Sequence, residues 1–312
     1  MGFEAAVDLG RGLVLANPVG VASGTFGYGF EAEQMATLSA LGAVYSKGTT
    51  LLPREGNQPP RISEATAGML NSIGLQNPGV EVVATSYAPR WSTWRVPVVV
   101  NVAGADLHEY VSVCRRLSGV AGVAGLELNI SCPNISHGLD FGTEPHRAAA
   151  LVSAVRRETG LCLIVKLTPN VTDITEVGRA VQDAGADCVS AVNTYLGMKI
   201  SLAQRSPVLP GPGTAGLSGP AIKPLALAAV ARLRRALRIP IIGIGGMACA
   251  QDALEFLVAG ADAVQIGTAN FYRPGIAAEV AQECLEFARR EGISNWRELR
   301  WRGGAAPGGD QV

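Results

Sequence analysis

The stretch Ile239-Pro-Ile-Ile-Gly-Ile-Gly-Gly246, followed after an Ala/Leu-rich segment by Asp262-Ala-Val-Gln-Ile-Gly-Thr268, decides the fold. Both runs are short, apolar and rich in β-branched residues, and both end in glycine, the pattern of strands buried on two faces in a parallel sheet. Residues 249–259 between them read as a helix, so the pair forms a βαβ unit. The same alternation runs outward along the chain. Strands are predicted at 18–23, 43–47, 96–101, 125–130, 161–166, 187–192, 239–243 and 262–266. Helices are predicted at 30–41, 77–88, 106–117, 144–159, 173–184, 221–236, 249–259 and 275–291. In 144–159, Leu151 and Val155 share a face, arginines lie largely opposite, and Pro145 suits the first turn. Eight such units predict an α/β fold, a closed (β/α)8 TIM barrel. An open doubly wound sheet shares the alternation, but its dinucleotide form requires G-x-G-x-x-G directly after the first strand. The chain has Ser23-Gly-Thr-Phe-Gly27 there.

With 312 residues and 48% hydrophobic content the chain suits one large core, and a single barrel domain over 1–312 is expected. Lys+Arg and Asp+Glu both number 26, so no electrostatic reason points to nucleic acid. The cysteines at 114, 132, 162, 188, 249 and 284 lack C-x-x-C spacing and mostly sit in apolar runs, as free thiols of a reducing cytoplasm do. No metal site is expected. No segment approaches about 18 uninterrupted apolar residues and no leader pattern opens the chain, so neither membrane spanning nor secretion is expected. Two connections are long: 48–76 after the second strand and 193–220 after the sixth. Both lie on the carboxyl side of a strand and carry Asn71, Ser72, Asn193 and Thr194, which predicts extended βα loops contributing lids and ligand contacts over that face.

The glycines of 241–246 and 265–268 close strands seven and eight, where backbone N–H groups can approach an anion, the phosphate end of a flavin or sugar-phosphate barrel. Lys47 and Lys166 end strands two and five, and the chain has only two other lysines, Lys199 and Lys223. A lysine at the barrel mouth serves either as a Schiff-base former or as the cation beside the N1/O2 edge of a flavin. Asn101 and Asn129 offer amides to such a group. The run Glu127-Leu-Asn-Ile-Ser-Cys-Pro-Asn134 then sets Cys132 in the loop after strand four, flanked by asparagines and stiffened by Pro133. A thiol has an unperturbed pKa of about 8.5 and makes a workable general base when its thiolate is moderately stabilised. The alternative is a nucleophilic thiol paired with His137. Asn71, Asn129, Asn134 and Asn193 are amides that both donate and accept, which suits a cyclic imide or carboxylated pyrimidine. The Asn71-Ser-Ile-Gly-Leu75 turn can add backbone N–H groups for a carboxylate.

Together these segments resemble the catalytic subunit of the class 1B dihydroorotate dehydrogenases, over about residues 3–290. The resemblance is carried by Lys47-Gly-Thr-Thr-Leu-Leu-Pro-Arg-Glu-Gly-Asn57, Asn71-Ser-Ile-Gly-Leu-Gln-Asn-Pro-Gly79, Asn129-Ile-Ser-Cys-Pro-Asn134, Val192-Asn-Thr194, Gly216-Leu-Ser-Gly-Pro-Ala-Ile-Lys-Pro224 and the two glycine sites. It implies an FMN-containing barrel that oxidises (S)-dihydroorotate to orotate in pyrimidine synthesis, with Cys132 taking the C5 proton while C6 gives hydride to flavin N5. Implied substrate contacts are Lys47, Asn71, Ser72, Ile73, Gly74, Leu75, Asn129, Asn134, Asn193 and Thr194. Implied FMN contacts are Ser23, Lys47, Gly48, Asn101, Asn129, Lys166, Val192, Gly219, Gly245, Gly246, Gly267 and Thr268. It further implies a homodimer of barrels within a heterotetramer, whose partner subunit carries FAD and a [2Fe–2S] cluster and passes electrons to NAD⁺. The chain departs from the pattern at Ser201, where relatives often have aspartate, and in the Pro/Gly-rich 209–216. Competing readings are a flavin-dependent pyrimidine base reductase, a non-catalytic barrel scaffold, and an aldolase-like lyase using Lys166.

Overall fold

The computed structural model describes residues 3–33, 38–131, 141–211 and 213–301. Eight parallel strands close into a barrel: β1 (Val19–Val21), β2 (Ala43–Tyr45), β3 (Val98–Val102), β4 (Gly125–Asn129), β5 (Cys162–Leu167), β6 (Cys188–Ala191), β7 (Ile241–Ile244) and β8 (Ala263–Ile266). Each lies within or overlaps its predicted segment. Closure is made by β8 against β1, in the register Val264↔Val19, Gln265↔Gly20 and Ile266↔Val21. Strand residues are buried almost throughout, because helices cover the outside and side chains fill the inside.

The outer helices follow from local signals. Asp106 opens Leu107–Leu117 by accepting from Glu109 N, and Asp173 opens Ile174–Asp183 by accepting from Thr175 N. Pro145 stands at the first turn of Pro145–Arg156, where Leu151 and Val155 are buried. Lys223–Ala236, Ala250–Ala259 and Ile276–Glu291 complete the ring, the last two ending on left-handed glycines, Gly260 and Gly292.

Two helices differ from expectation. The predicted 30–41 is a short helix, Phe30–Glu33, and a separate 3₁₀ turn, Leu38–Ala40. Asn17 Nδ2 donates to Ala40 O at 2.9 Å, and Gly42 passes so close over Asn17 that a Cβ would stand 2.0 Å from its carbonyl oxygen. The predicted 77–88 starts later and runs further, as Val80–Val82, a wide π-type turn Val83–Tyr87, and Ala88–Trp91. Asn77 is held out of the helix by its side chain, whose Oδ1 accepts from Thr50 N and Gly79 N, while burial of Trp91 extends the far end.

The long connections, expected as extended loops, hold regular structure. Strands from both join in one antiparallel sheet over the barrel mouth, ordered Tyr195–Gly197, Ala215–Ser218, Gly68–Asn71 and Ile62–Ala65. A small apolar cluster of Leu70, Leu209 and Ala215 packs with it. At the opposite end, the hairpin Val7–Asp8 with Val14–Leu15 covers the amino ends of the strands and buries Leu9, Leu13 and Leu15. 

Gly243 of β7 tests the packing between strand and helix, since a Cβ there would lie 2.5 Å from Cδ1 of the fully buried Phe256. Gly243→Ala is expected to cost about 1–3 kcal/mol in urea unfolding, as overpacked cores do. Phe256→Leu in the same chain should recover part of that loss.

Candidate active site

The carboxyl ends of β1 and β5–β8, roofed by the antiparallel sheet, surround a cleft enclosing about 870 Å³, part of it open to solvent. Its mixed polar and apolar lining suits a small-molecule ligand. A wider groove on the barrel's outer face, lined by Leu227, Leu254, Phe287 and Trp301, is mainly apolar and remote from the strand ends.

One end of the cleft is built from backbone. Gly219, Gly245 and Gly246 have φ of 99°, 138° and 73°, a region that favours glycine. A Cβ on Gly245 would stand 2.6 Å from Ala226 Cβ, and one on Gly246 would stand 2.8 Å from Gly219 O and 2.9 Å from Lys223 N. Three backbone segments therefore converge at the amino end of Lys223–Ala236, where the helix dipole favours an anion. Gly267 and Thr268 line the same cleft, and Thr268 Oγ1 donates to Ser218 Oγ at 2.8 Å.

Beneath the cleft, the barrel interior is polar. The carboxylate of Glu127, on β4, is fully buried and accepts from Asn101 Nδ2 at 2.7 Å, Ser190 Oγ at 2.9 Å and Gln265 Nε2 at 2.9 Å. Lys166 on β5 places its ammonium 3.7 Å from the same carboxylate and also lines the cleft. Register sets Asn129 beside Lys166. Asn129 Oδ1 accepts from Asn193 Nδ2 at 3.0 Å, and Tyr110 Oη donates to Asn129 O at 2.6 Å. Thr194 N donates to Asn193 Oδ1, which folds that turn onto itself.

The roof brings Asn71 to the cleft through the pairing Gly216↔Asn71, with Asn71 Nδ2 donating to Gly216 O at 3.1 Å. The cleft thus unites Ser23, Asn71 and Ile73 with Lys166, Val192, Asn193 and Thr194, and all of these with the glycine cradle of Gly219, Gly245, Gly246, Gly267 and Thr268. Asn101 lies under it, and a Cβ on Gly48 would meet Asn101 Oδ1 at 3.2 Å. Lys47 lines a neighbouring shallow cleft with Tyr28, Arg54 and Gln76, and donates to Gln76 Oε1 at 3.3 Å. Burial, and then the nearby Arg61, lower its pKa from the ordinary lysine value. Ser72, Gly74 and Leu75 form the turn behind Ile73 and do not line the main cleft. Ser72 N already donates to Arg61 O, and Asn57 Nδ2 donates to both Ser72 O and Ser72 Oγ.

Cys132 and Asn134 lie outside the described residues. Burial pushes the thiols of Cys162 and Cys284 up to about 12 and those of Cys114 and Cys188 further up, so these four stay protonated near neutral pH.

Sequence reasoning assigned no role to Glu127, Ser190, Gln265, Asn57 or Asn170. Glu127 left a signal, being a charge inside an otherwise apolar strand, where a carboxylate requires partners. Asn170 left none: its Nδ2 donates to Thr194 O at 3.1 Å and its Oδ1 accepts from Leu196 N at 3.0 Å, contacts made only in the folded chain.

Fold and cleft together define a (β/α)8 barrel with a glycine cradle at its last strands and a lysine with amides along the same mouth. The chain matches the family model described as dihydroorotate dehydrogenase over residues 9–287 and belongs to that family. It is 50% identical over 289 residues to the protein of Geobacter sulfurreducens named dihydroorotate dehydrogenase B (NAD(+)), catalytic subunit, covering 92% of this chain and 94% of the relative. The proteins of the same name from Porphyromonas gingivalis and Desulforamulus reducens are 48% and 49% identical, over 94% and 96% of this chain and 95% and 98% of theirs.

Asn57 is the brace of the 71–75 turn. Asn57→Ala should speed amide hydrogen exchange across 71–75 at least tenfold, on the order of 1.4 kcal/mol of lost local protection, and leave β3–β5 unchanged in the same measurement.

Proposed function

We propose that this chain oxidises (S)-dihydroorotate to orotate in pyrimidine biosynthesis, as the catalytic barrel of an enzyme that delivers electrons to NAD⁺. The reading is carried by one observation: a single cleft joins an anion cradle, a buried-side lysine and a set of uncharged amides, in a chain of this family. The whole chain, 1–312, is assigned to one barrel domain.

The residues fit FMN, one per chain. Gly219, Gly245, Gly246, Gly267 and Thr268 are assigned its phosphate, and Ser23, Lys47, Gly48, Asn101, Asn129, Lys166 and Val192 the remainder. Fit is supported by two features: a Cβ on Gly219, Gly245 or Gly246 would clash with neighbouring atoms, and Asn101 Oδ1 is a buried acceptor without a hydrogen-bond partner among the described residues. When bound, FMN supplies the acceptor for the hydride that leaves C6 of the substrate.

The chain's own part is to hold the ring and move one proton. Cys132 is assigned as the base that takes the proton from C5 onto Sγ, a step for which a thiolate is suited near neutrality. Asn71, Asn129, Asn134, Asn193 and Thr194 are assigned the fixed donors and acceptors of the pyrimidine ring. Lys47 and the N–H groups of Ile73, Gly74 and Leu75, with Ser72, are assigned its carboxylate. Lys166 places a positive charge where negative charge develops during the reaction.

The relatives' printed names support a second subunit. We assign to it FAD and a [2Fe–2S] cluster, in a heterotetramer built on a dimer of barrels, and we assign the assembly to the cytoplasm. No helix among the described residues is long and apolar enough to cross a membrane.

The purified chain should show flavin absorbance that bleaches on anaerobic addition of dihydroorotate; a colourless protein, or a flavin that dihydroorotate leaves oxidised and whose reduced form is reoxidised by uracil or thymine, would overturn the reading. In stopped flow, Cys132→Ser should keep orotate binding and slow that bleaching by about 10²–10⁴-fold at neutral pH, the contribution of a general base. Gly216→Ala tests the roof, because a Cβ there would fall 2.4 Å from Thr194 Oγ1 and 3.0 Å from Asn71 Nδ2. It should raise KM for dihydroorotate by about tenfold, on the order of 1.4 kcal/mol, at undiminished FMN content.

A further inference from the structure

Among the described residues Glu127 is the one fully buried carboxylate of the barrel interior, and four strands supply its partners: Asn101 from β3, Lys166 from β5, Ser190 from β6 and Gln265 from β8. Three of these donate hydrogen bonds of 2.7–2.9 Å. Lys166 stands at 3.7 Å, outside hydrogen-bonding range, so it is coupled to Glu127 by charge while its ammonium donors remain for the cleft it lines.

Two consequences follow. The Asn101 amide is fixed in one orientation, because its NH₂ is committed to Glu127. Its Oδ1 is left as a buried acceptor with no partner among the described residues, beside Gly48. The positive charge of Lys166 is also opposed by a fixed negative charge in a buried setting, where Coulomb interactions are stronger than in bulk water.

We propose that Glu127 is a positioning residue for the bound flavin: it presents Asn101 to the cofactor as a hydrogen-bond acceptor and, as the counter-anion of Lys166, holds the flavin reduction potential below the value Lys166 alone would impose. This rests on the FMN reading. Neutralising Glu127 leaves Lys166 uncompensated, and an uncompensated cation favours the more negative, reduced form of the cofactor. Neutralising Lys166 acts in the opposite sense. Removing both charges cancels most of the effect.

The test is the midpoint potential of FMN bound to the full chain, measured by anaerobic dye equilibration. Glu127→Gln should raise the reduced-to-oxidised ratio at fixed potential at least tenfold, about 30 mV for a two-electron couple. Lys166→Met should lower it, the double variant should return close to the native potential, and Glu127→Asp, which keeps the charge, should stay near it. FMN-free protein supplies an independent readout, since the double variant should lose less thermal stability than the sum of the two single variants. An unshifted potential in Glu127→Gln overturns the proposal. Should that variant fail to fold, a double variant with a potential as low as Lys166→Met alone overturns it equally. A native chain that binds no FMN, or whose FMN dihydroorotate does not bleach, defeats the functional reading instead.

Discussion

The structure depends on the pairing of β8 with β1, because that ladder turns a strip of parallel strands into a ring. A closed ring has no edges, so every strand delivers its carboxyl end to the same mouth. Ser23 after β1, Lys166 near the end of β5, Val192 and Asn193 after β6, Gly245 after β7 and Gly267 after β8 become neighbours for that reason alone. The first and last of these are far apart along the chain and meet only because the sheet closes.

A second constraint acts on the mouth. The antiparallel sheet ties a segment that follows β2 to one that follows β6, and Gly216 sits in that junction with Asn71 on one side and Thr194 on the other. Asn71, Asn193 and Thr194 are thereby set by hydrogen bonds between distant segments, with Asn57 and Asn170 bracing from behind. The polar roof is a product of strand pairing rather than of loop conformation.

How far this was legible in the sequence depended on the range of the interactions. The barrel strands announce themselves through runs such as Val98-Val-Val and Ile241-Ile, and the helix starts at Asp106 and Asp173 through caps that operate within a few residues. The glycine cradle was readable because left-handed φ and close backbone approach demand glycine locally. The late start of the helix at Val80 was not, since Asn77 is held by Thr50, which no local pattern reveals. The roof sheet escaped for the same reason: Gly68-Met-Leu-Asn71 is too short to declare itself, and its partner Ala215–Ser218 lies beyond four barrel strands. The Glu127 network was half visible, as a charge in an apolar strand, but the identity of its partners needed the ring to be closed.

The amino-terminal hairpin gives the barrel interior a second character. Leu9 and Leu13 seal the ends of the strands opposite the mouth, where Leu9 O accepts from Cys162 Sγ and Leu13 packs against Gly125. Among the described residues the hairpin thus covers one end of the interior, and the mouth is the other. A ligand seated in the mouth would cover the polar layer from that side. Occupancy then lowers the local dielectric around the enclosed charges, so that they act most strongly on the ligand once it has displaced the solvent that would have weakened them.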